Sequence, residues 1–281
     1  MCPSTATLRF GIRPHMSVEE VLMSQAQDPK DTNREQFGAN AANYATSAVH
    51  AKGASLARMV EVAQPSADWR ALDIATAAGH TAFTFAPHVR HVTATDLTPE
   101  MVELAATRAR EGGYDNVSSQ VADAESLPFD DASFELVTCR IAPHHFPDQA
   151  AFISEVARVL SPGGLFVMVD NIVPEDHEIA LFADDWERRR DPSHVGCLSL
   201  NEWIGLCSRS GLSVEHSETA PKQMQFQAWA DNMSVPEDLR PQLLDDLLGA
   251  TPAVRSFLRP EGATQGDAIF YLTEGLITAR R

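Results

Sequence analysis

The chain has 281 residues, 44% of them hydrophobic, with 39 acidic against 22 basic side chains and a formal charge of −17. That length and composition suit one large α/β domain with a full core, and the negative field repels phosphate backbones and anionic membrane surfaces. The four cysteines, Cys2, Cys139, Cys197 and Cys207, lie far apart without a CxxC pair, which argues against a zinc knuckle or a disulfide framework and suits a reducing cytosol.

Residues 1–32 read as a disordered amino-terminal segment, and residues 1–22 lack the apolar core of a signal peptide. No apolar run approaches the roughly 20 residues of a membrane span, so a cytoplasmic protein with no membrane or nucleic-acid partner is expected. From Asn33 to Val62 small and apolar residues recur at helical spacing, broken near His50 to Gly53, which predicts one or two helices. Pro65 to Trp69 is a linker. The first strand then opens at Arg70, and Leu72-Asp73-Ile74 leads into the small-residue turn Ala75-Thr76-Ala77-Ala78-Gly79. His91 to Thr95 reads as a second strand with Asp96 at its end. Thr98, Pro99 and Glu100 open a helix whose buried stripe is Met101, Val102, Leu104, Ala105 and Ala109, and Gly112-Gly113 closes it. Val117 to Val121 and Phe134 to Arg140 are the third and fourth strands. A helix follows Pro147, and Pro162-Gly163-Gly164 turns into a fifth strand, Leu165 to Asp170. Residues 174–200 are polar and charged and read as a cap. Asn201 to Gly211 is a helix, Val214 to Trp229 and Ala268 to Ala279 are closing strands, and Leu239 to Leu248 is a helix between them.

Strands alternating with helices predict a doubly wound α/β sheet with helices on both faces and ligands at the strand carboxyl ends. An acid at the end of the second strand is placed to accept hydrogen bonds from a ribose, which points to a nucleoside-containing cofactor. A nicotinamide-binding turn would read GxGxxG; here Asp73 to Gly79 reads DxAxAxG, with the wrong spacing for it.

The turn does resemble the first motif, [DE]xGxGxG, of the class I S-adenosylmethionine-dependent methyltransferases. Asp96 matches their ribose-binding acid, Val121 to Phe129 (VADAESLPF) their adenine-binding segment, Phe134 to Arg140 their fourth strand and Arg158 to Gly164 (RVLSPGG) the turn before their fifth. The resemblance spans about residues 33–215 and is greatest to the ubiquinone/menaquinone-type small-molecule enzymes. It implies one domain over 33–281: a seven-stranded, mostly parallel sheet with an antiparallel last strand and a helical cap. Residues 174–200 and about 220–265 would be cap insertions around the substrate pocket. It also implies S-adenosyl-L-methionine as cofactor, S-adenosyl-L-homocysteine as product and a small-molecule acceptor, with the chain a monomer or a homodimer.

By the same resemblance, Asp73, Ala75, Ala77 and Gly79 shape the turn around the methionine moiety. Asp96 and Leu97 take the ribose, Asp123, Ala124 and Glu125 the adenine, and Arg140 faces the methionyl end. The alanines depart from the family glycines. At Ala77 a positive φ would cost on the order of 1–2 kcal/mol, whereas a negative φ would only narrow the pocket.

Methyl transfer is an in-line displacement that needs alignment and, for a protonated nucleophile, a base. His144 and His145 follow the fourth strand, where the methyl group should emerge. One is the candidate base or substrate-orienting group, and the other, pointing away from it, is structural or faces solvent. No third ligand stands at a recognisable spacing, so no metal is expected. Tyr44 lies in a segment resembling the family's amino-terminal lid; its ring either covers the sulfonium or joins Phe37 in a helix stripe. His50 reaches the methionyl carboxylate or the substrate, or lies on the surface. Arg188 to Arg190, Asp191 and His194 either line the substrate entrance, with Arg190 and His194 as substrate contacts, or form a surface ion cluster. Trp186, Trp203, Phe226 and Trp229 read by default as core. Two other readings keep the fold but not the activity: a cyclase or isomerase of natural-product biosynthesis, and a non-catalytic binding protein.

Overall fold

A computed structural model describes residues 28–46 and 53–281. Its elements in chain order are α1 (Pro29–Thr46), α2 (Ala54–Ala63), β1 (Arg70–Ile74), α3 (His80–Phe85), β2 (His91–Asp96), α4 (Pro99–Gly112), β3 (Val117–Val121), β4 (Phe134–Arg140), α5 (Gln149–Val159), β5 (Leu160–Ile172), α6 (His177–Arg190), α7 (Leu200–Arg209), β6 (Ser213–Gln225), α8 (Phe226–Asn232), α9 (Arg240–Gly249), α10 (Pro252–Leu258) and β7 (Ile269–Arg280). The strands form one seven-stranded sheet in the order β3-β2-β1-β4-β5-β7-β6. The first five strands pair in parallel, and β7 runs antiparallel between β5 and β6. This is the class I methyltransferase fold, with the strand order reversing beside β1, where such sheets open a ligand crevice.

Period-two alternation places two cores on the sheet. Leu72, Ile74, Val137, Cys139, Phe166 and Met168 face α5 and α7, and burial of Phe152, Val156 and Trp203 completes that layer. Ala71, Leu136, Leu165, Val167 and Val169 face the other way, onto Met59 of α2 and Phe85 of α3. A third core lies in the cap, where Trp186 of α6 stacks on Trp229 of α8 at 4.2 Å between ring centroids. Their indole N–H groups donate to the Leu243 carbonyl at 2.9 Å and to Glu187 Oε1 at 3.1 Å, so neither polar atom is orphaned.

Several sequence expectations shift here. The first described helix opens at Pro29, ahead of Asn33. The stretch read as a strand from Val214 to Trp229 stops at Gln225, because Phe226, Trp229, Ala230 and Met233 recur at helical spacing and bury one face in the cap core. The cap segment 174–200 contains α6, capped by Asp176, whose carboxylate accepts from the Glu178 and Ile179 amides. Pro162-Gly163-Gly164 lies inside β5: the strand starts at Leu160, and the pairing with β4 shifts register between Phe134 and Leu136. Among the described residues no helix is long and apolar enough to cross a membrane.

Candidate functional site

A cleft enclosing about 930 Å³, open solvent included, lies at the carboxyl ends of β1, β2 and β4. Its floor is the β1–α3 turn. Ala75 and Ala77 both hold a left-handed backbone, at φ 53° and 46°, as does Gly79 at φ 86°. Only at Gly79 is a side chain sterically blocked: a Cβ there would meet the Phe83 ring at 2.5 Å. The two alanines carry the strain that glycine would relieve, on the order of 1–2 kcal/mol each. Behind the turn, the buried Asp73 carboxylate accepts from Thr76 Oγ1 at 2.6 Å and Thr138 Oγ1 at 2.7 Å. Asp73 therefore fixes the turn from beneath and does not line the cleft. Burial pushes its carboxyl up to about 6, against the opposing pull of the two hydroxyls.

Asp96 stands at the cleft wall with both oxygens oriented, Oδ1 by the Thr98 amide at 2.9 Å and Oδ2 by the Ala77 amide at 3.0 Å. Each oxygen keeps a lone pair for a ligand hydroxyl. Burial raises its pKa while these amides oppose the rise. Leu97, Ala122, Asp123, Ala124 and Glu125 continue the wall. Here sequence reasoning missed Lys30 of α1, whose Nζ lies 2.6 Å from Asp123 Oδ2 and 2.5 Å from Glu125 Oε2. Its ion pairs draw α1 across the end of the cleft expected to hold adenine. Lys30 stands inside the segment expected to be disordered, so no sequence signal pointed to it.

At the other end, Arg140 lines the cleft and its Nε donates to Ser55 Oγ at 3.1 Å. Ile141, which follows it, holds φ 51°, a conformation rare for a β-branched residue, and turns the chain over the cleft. His145 also lines the cleft, and its ring meets Phe37 edge to face at 4.9 Å. Phe37 is thus a cleft residue and not only core. The His145 Nδ1 lies 3.0 Å from the Ser193 carbonyl, which can only accept, so Nδ1 carries the proton and Nε2 keeps a lone pair. Burial drives this imidazole down to about 3, so it is neutral near pH 7.

His144 faces the other way, with its ring 4.1 Å from that of His145 and bordering a second cavity under the cap. Its Nδ1 and backbone amide both bind Asp170, at 2.6 and 2.8 Å, and the Asn171 amide adds a third N–H on the same carboxylate. Burial pushes the Asp170 carboxyl up to about 7, against the opposing pull of the Asn171 and His144 amides, and drives the His144 imidazole down to about 3, so that ring is neutral near pH 7. Adjacent histidines thus diverge as expected, yet both are buried and each borders a cavity. Asp170, Asp191 and Ser193, which orient them, were not singled out as partners of the pair.

Arg188, Arg189 and Arg190 make separate contacts in the cap and do not converge on one entrance. Arg188 donates to the Val195 carbonyl, Arg189 pairs with Asp246, and Arg190 donates to the Trp229 carbonyl and Glu187. These guanidiniums are committed to cap partners because α6 fans them over three different neighbours. Arg190 and His194 border the cavity on the His144 side, not the cleft lined by Asp96, and His194 Nε2 lies 2.8 Å from Asp184. Trp186, Phe226 and Trp229 are cap core and Trp203 is sheet core, as the default reading had it. Tyr44 falls within α1, but its side chain lies outside the described residues, as does His50 entirely.

Comparison with known proteins agrees with this geometry. Residues 72–168 match a family model described as a methyltransferase domain. The chain is 40% identical over 224 residues to the uncharacterized methyltransferase YcgJ of Bacillus subtilis, covering 80% of this chain and 88% of that one. The crystal structure of YcgJ superposes with a TM-score of 0.78 at 38% identity, covering 81% of this chain and 97% of the other. Identity is 33% over 175 residues to the 27-O-demethylrifamycin SV methyltransferase of Amycolatopsis mediterranei, covering 58% of this chain and 63% of the relative. It is 31% over 164 residues to the ubiquinone/menaquinone biosynthesis C-methyltransferase UbiE of Brucella canis, covering 57% and 59%. The turn, the oriented acid at the end of β2, the strand order and these identities together establish that the chain belongs to the class I S-adenosylmethionine-dependent methyltransferases.

Proposed function

We propose that this enzyme methylates a small-molecule acceptor in the cleft between the β1–α3 turn and His145. The observation that carries the reading is the Asp96 carboxylate, fixed by two amides at one end of a cleft whose other end holds a neutral imidazole. The residues present fit S-adenosylmethionine. Ala75 and Ala77 leave room for its methionyl part beside Arg140, Asp96 would take the ribose hydroxyls in charge-assisted bonds, and Asp123 and Ala124 lie where the adenine would rest. The cofactor supplies a sulfonium methyl open to in-line attack.

The chain's own residues do the rest. Phe37, His145 and Pro147 line the same cleft as Arg140, and with ligands in place they would limit water at the reacting centre. The Ser193 carbonyl holds His145 with Nε2 as acceptor, ready for a proton from the acceptor molecule. An imidazole whose pKa is about 3 is too weak to ionise a hydroxyl or amine in advance. It suits a proton that turns acidic only as the new bond to the methyl group forms, so proton removal accompanies or follows transfer. A small acceptor agrees with the acidic chain, and the rifamycin and quinone relatives are named for small-molecule substrates. The oriented Asp96 gives no support to an empty-pocket binding protein, whereas a cyclase or isomerase would keep the cofactor and is told apart by whether the methyl group is consumed.

The test is transfer of labelled methyl from S-adenosylmethionine to a panel of phenols, hydroxyls, amines and carbon acids, with His145→Ala beside the wild type. The expected result is an accepted small molecule whose kcat falls about 10²-fold or more in the variant, with the KM for the cofactor unchanged within about threefold. Equal kcat in the two proteins would overturn the role of His145.

A further inference from the structure

Beyond His144 lies the second cavity, about 430 Å³ with its open solvent, bordered by α6, the 191–197 loop and the end of β5. Its lining is rich in acceptors. Asn171 Oδ1 is buried without a hydrogen-bond partner, and Asp184 borders the same space. The guanidinium of Arg190, the cation on this wall, is already engaged by the Trp229 carbonyl and Glu187. Such a lining favours a ligand that brings positive charge.

Three side chains of different chemistry converge there. One carboxylate oxygen of Asp184, a ring nitrogen of His194 and the Cys197 sulfur all lie within 4.8 Å of one another. The carboxylate is already aimed: Oδ1 lies 2.8 Å from His194 Nε2 and accepts the Cys197 amide at 2.9 Å. Gly196 permits this approach, since a Cβ there would stand 3.3 Å from Asp184 Oδ2. The loop itself is pinned, because the Val195 and Gly196 amides both donate to the His144 carbonyl, at 2.9 and 3.1 Å.

We propose that Asp184, His194 and Cys197 form a binding site for a thiophilic divalent cation of the zinc type, with its fourth position open toward the cavity bordered by His144 and Asn171. Oxygen, imidazole and thiolate together match zinc, whereas calcium and magnesium take oxygen ligands throughout. Around a tetrahedral zinc ion such ligand atoms stand about 3.2–3.8 Å apart, so the cluster closes with shifts below ~1 Å. On binding, the Cys197 thiol gives its proton to solvent and the sulfur lone pair makes the metal bond. His194 coordinates through Nε2 with its proton on Nδ1. Thiolate and carboxylate then neutralise the dication. The ion would tie α6 to the loop that holds both catalytic-side histidines through the Ser193 carbonyl and the His144 carbonyl. Sequence spacing does not reveal the site: His194-x-x-Cys197 is a pair, and the third ligand comes from the preceding helix. This inference does not depend on the methyl acceptor.

The experiment is equilibrium dialysis of the full-length, chelator-treated protein against zinc, with cobalt(II) as the spectroscopic probe. One equivalent of zinc at micromolar affinity or tighter is expected, and the cobalt form should show a thiolate-to-metal charge-transfer band and tetrahedral d–d absorption. Cys197→Ser and Asp184→Asn should each weaken zinc binding at least tenfold, while Cys2→Ser and Cys207→Ser bind as the wild type does. Retention of less than a tenth of an equivalent, or a wild-type cobalt spectrum without the charge-transfer band, would overturn the site even if a variant fails to fold. Unchanged affinity in Cys197→Ser would do the same.

Discussion

The cleft lined by Asp96 and the cavity under the cap lie on either side of the His144 and His145 pair, and their linings are built differently. The floor of the cleft is backbone and small side chains, Ala75, Ala77 and Ala78 beside the oriented Asp96, while its walls carry charged groups such as Lys30, Asp123, Glu125 and Arg140. The cap cavity is made of long titratable side chains such as Asp184, Glu187, Arg190 and His194, each tied to a neighbour. A floor of small residues fits a fixed ligand shape through close backbone approach. A wall of long side chains is chemically specific and depends on the packing that holds it.

The comparison breaks most visibly if the cap is undermined alone. Trp229→Ala removes the stack on Trp186 and the N–H bond to Glu187. It should destabilise the protein by about 3–5 kcal/mol in denaturant titration, while affinity of the remaining folded protein for the cofactor stays within about threefold. A loss below about 1 kcal/mol would mean that the tryptophan pair does not hold the cap.

The floor is sharpened by relieving its strain. Ala77→Gly and Ala75→Gly, at φ 46° and 53°, should each raise stability by about 1 kcal/mol. Ala78→Gly, which lies between two positive-φ residues without sharing that conformation, should lower it by about 0.5–1 kcal/mol. Equal effects of the three substitutions in thermal melts would remove the claim that the turn is strained at those two sites.

A smaller effect follows from Asp73. Its folded pKa, about 6, lies above the ordinary carboxylate value, so the native state binds the proton more tightly than the unfolded chain. Its contribution to stability therefore grows as pH falls through about 6 and is absent well above it. Between pH 7.5 and pH 5 the wild type should gain about 1 kcal/mol relative to Asp73→Asn, read as a change in the difference between their Tm values. A difference that does not move with pH would place the carboxyl near its ordinary value.

The floor was also the part legible in the sequence, because its signals are local. The strand, the small-residue turn and the acid fall between Arg70 and Asp96, and Pro99 with Gly113 marks the ends of α4. What was not legible depends on contacts across long separations. Lys30 meets Asp123 from 93 residues away, and His145 meets Ser193 from 48. Phe226 to Trp229 reads as the end of a strand, and its burial in the cap core makes it the start of a helix instead. The φ of Ala77, left open by the sequence, is positive at 46°, in a turn where its amide reaches Asp96 from 19 residues away.

The most direct measurement is calorimetric titration of the purified protein with S-adenosylmethionine, beside Asp96→Ala. The wild type should bind one equivalent at micromolar affinity, and the variant should bind at least about 100-fold more weakly, near 2.7 kcal/mol. No heat of binding in the wild type, or equal affinity in the variant, would contradict the assignment of this cleft to the cofactor.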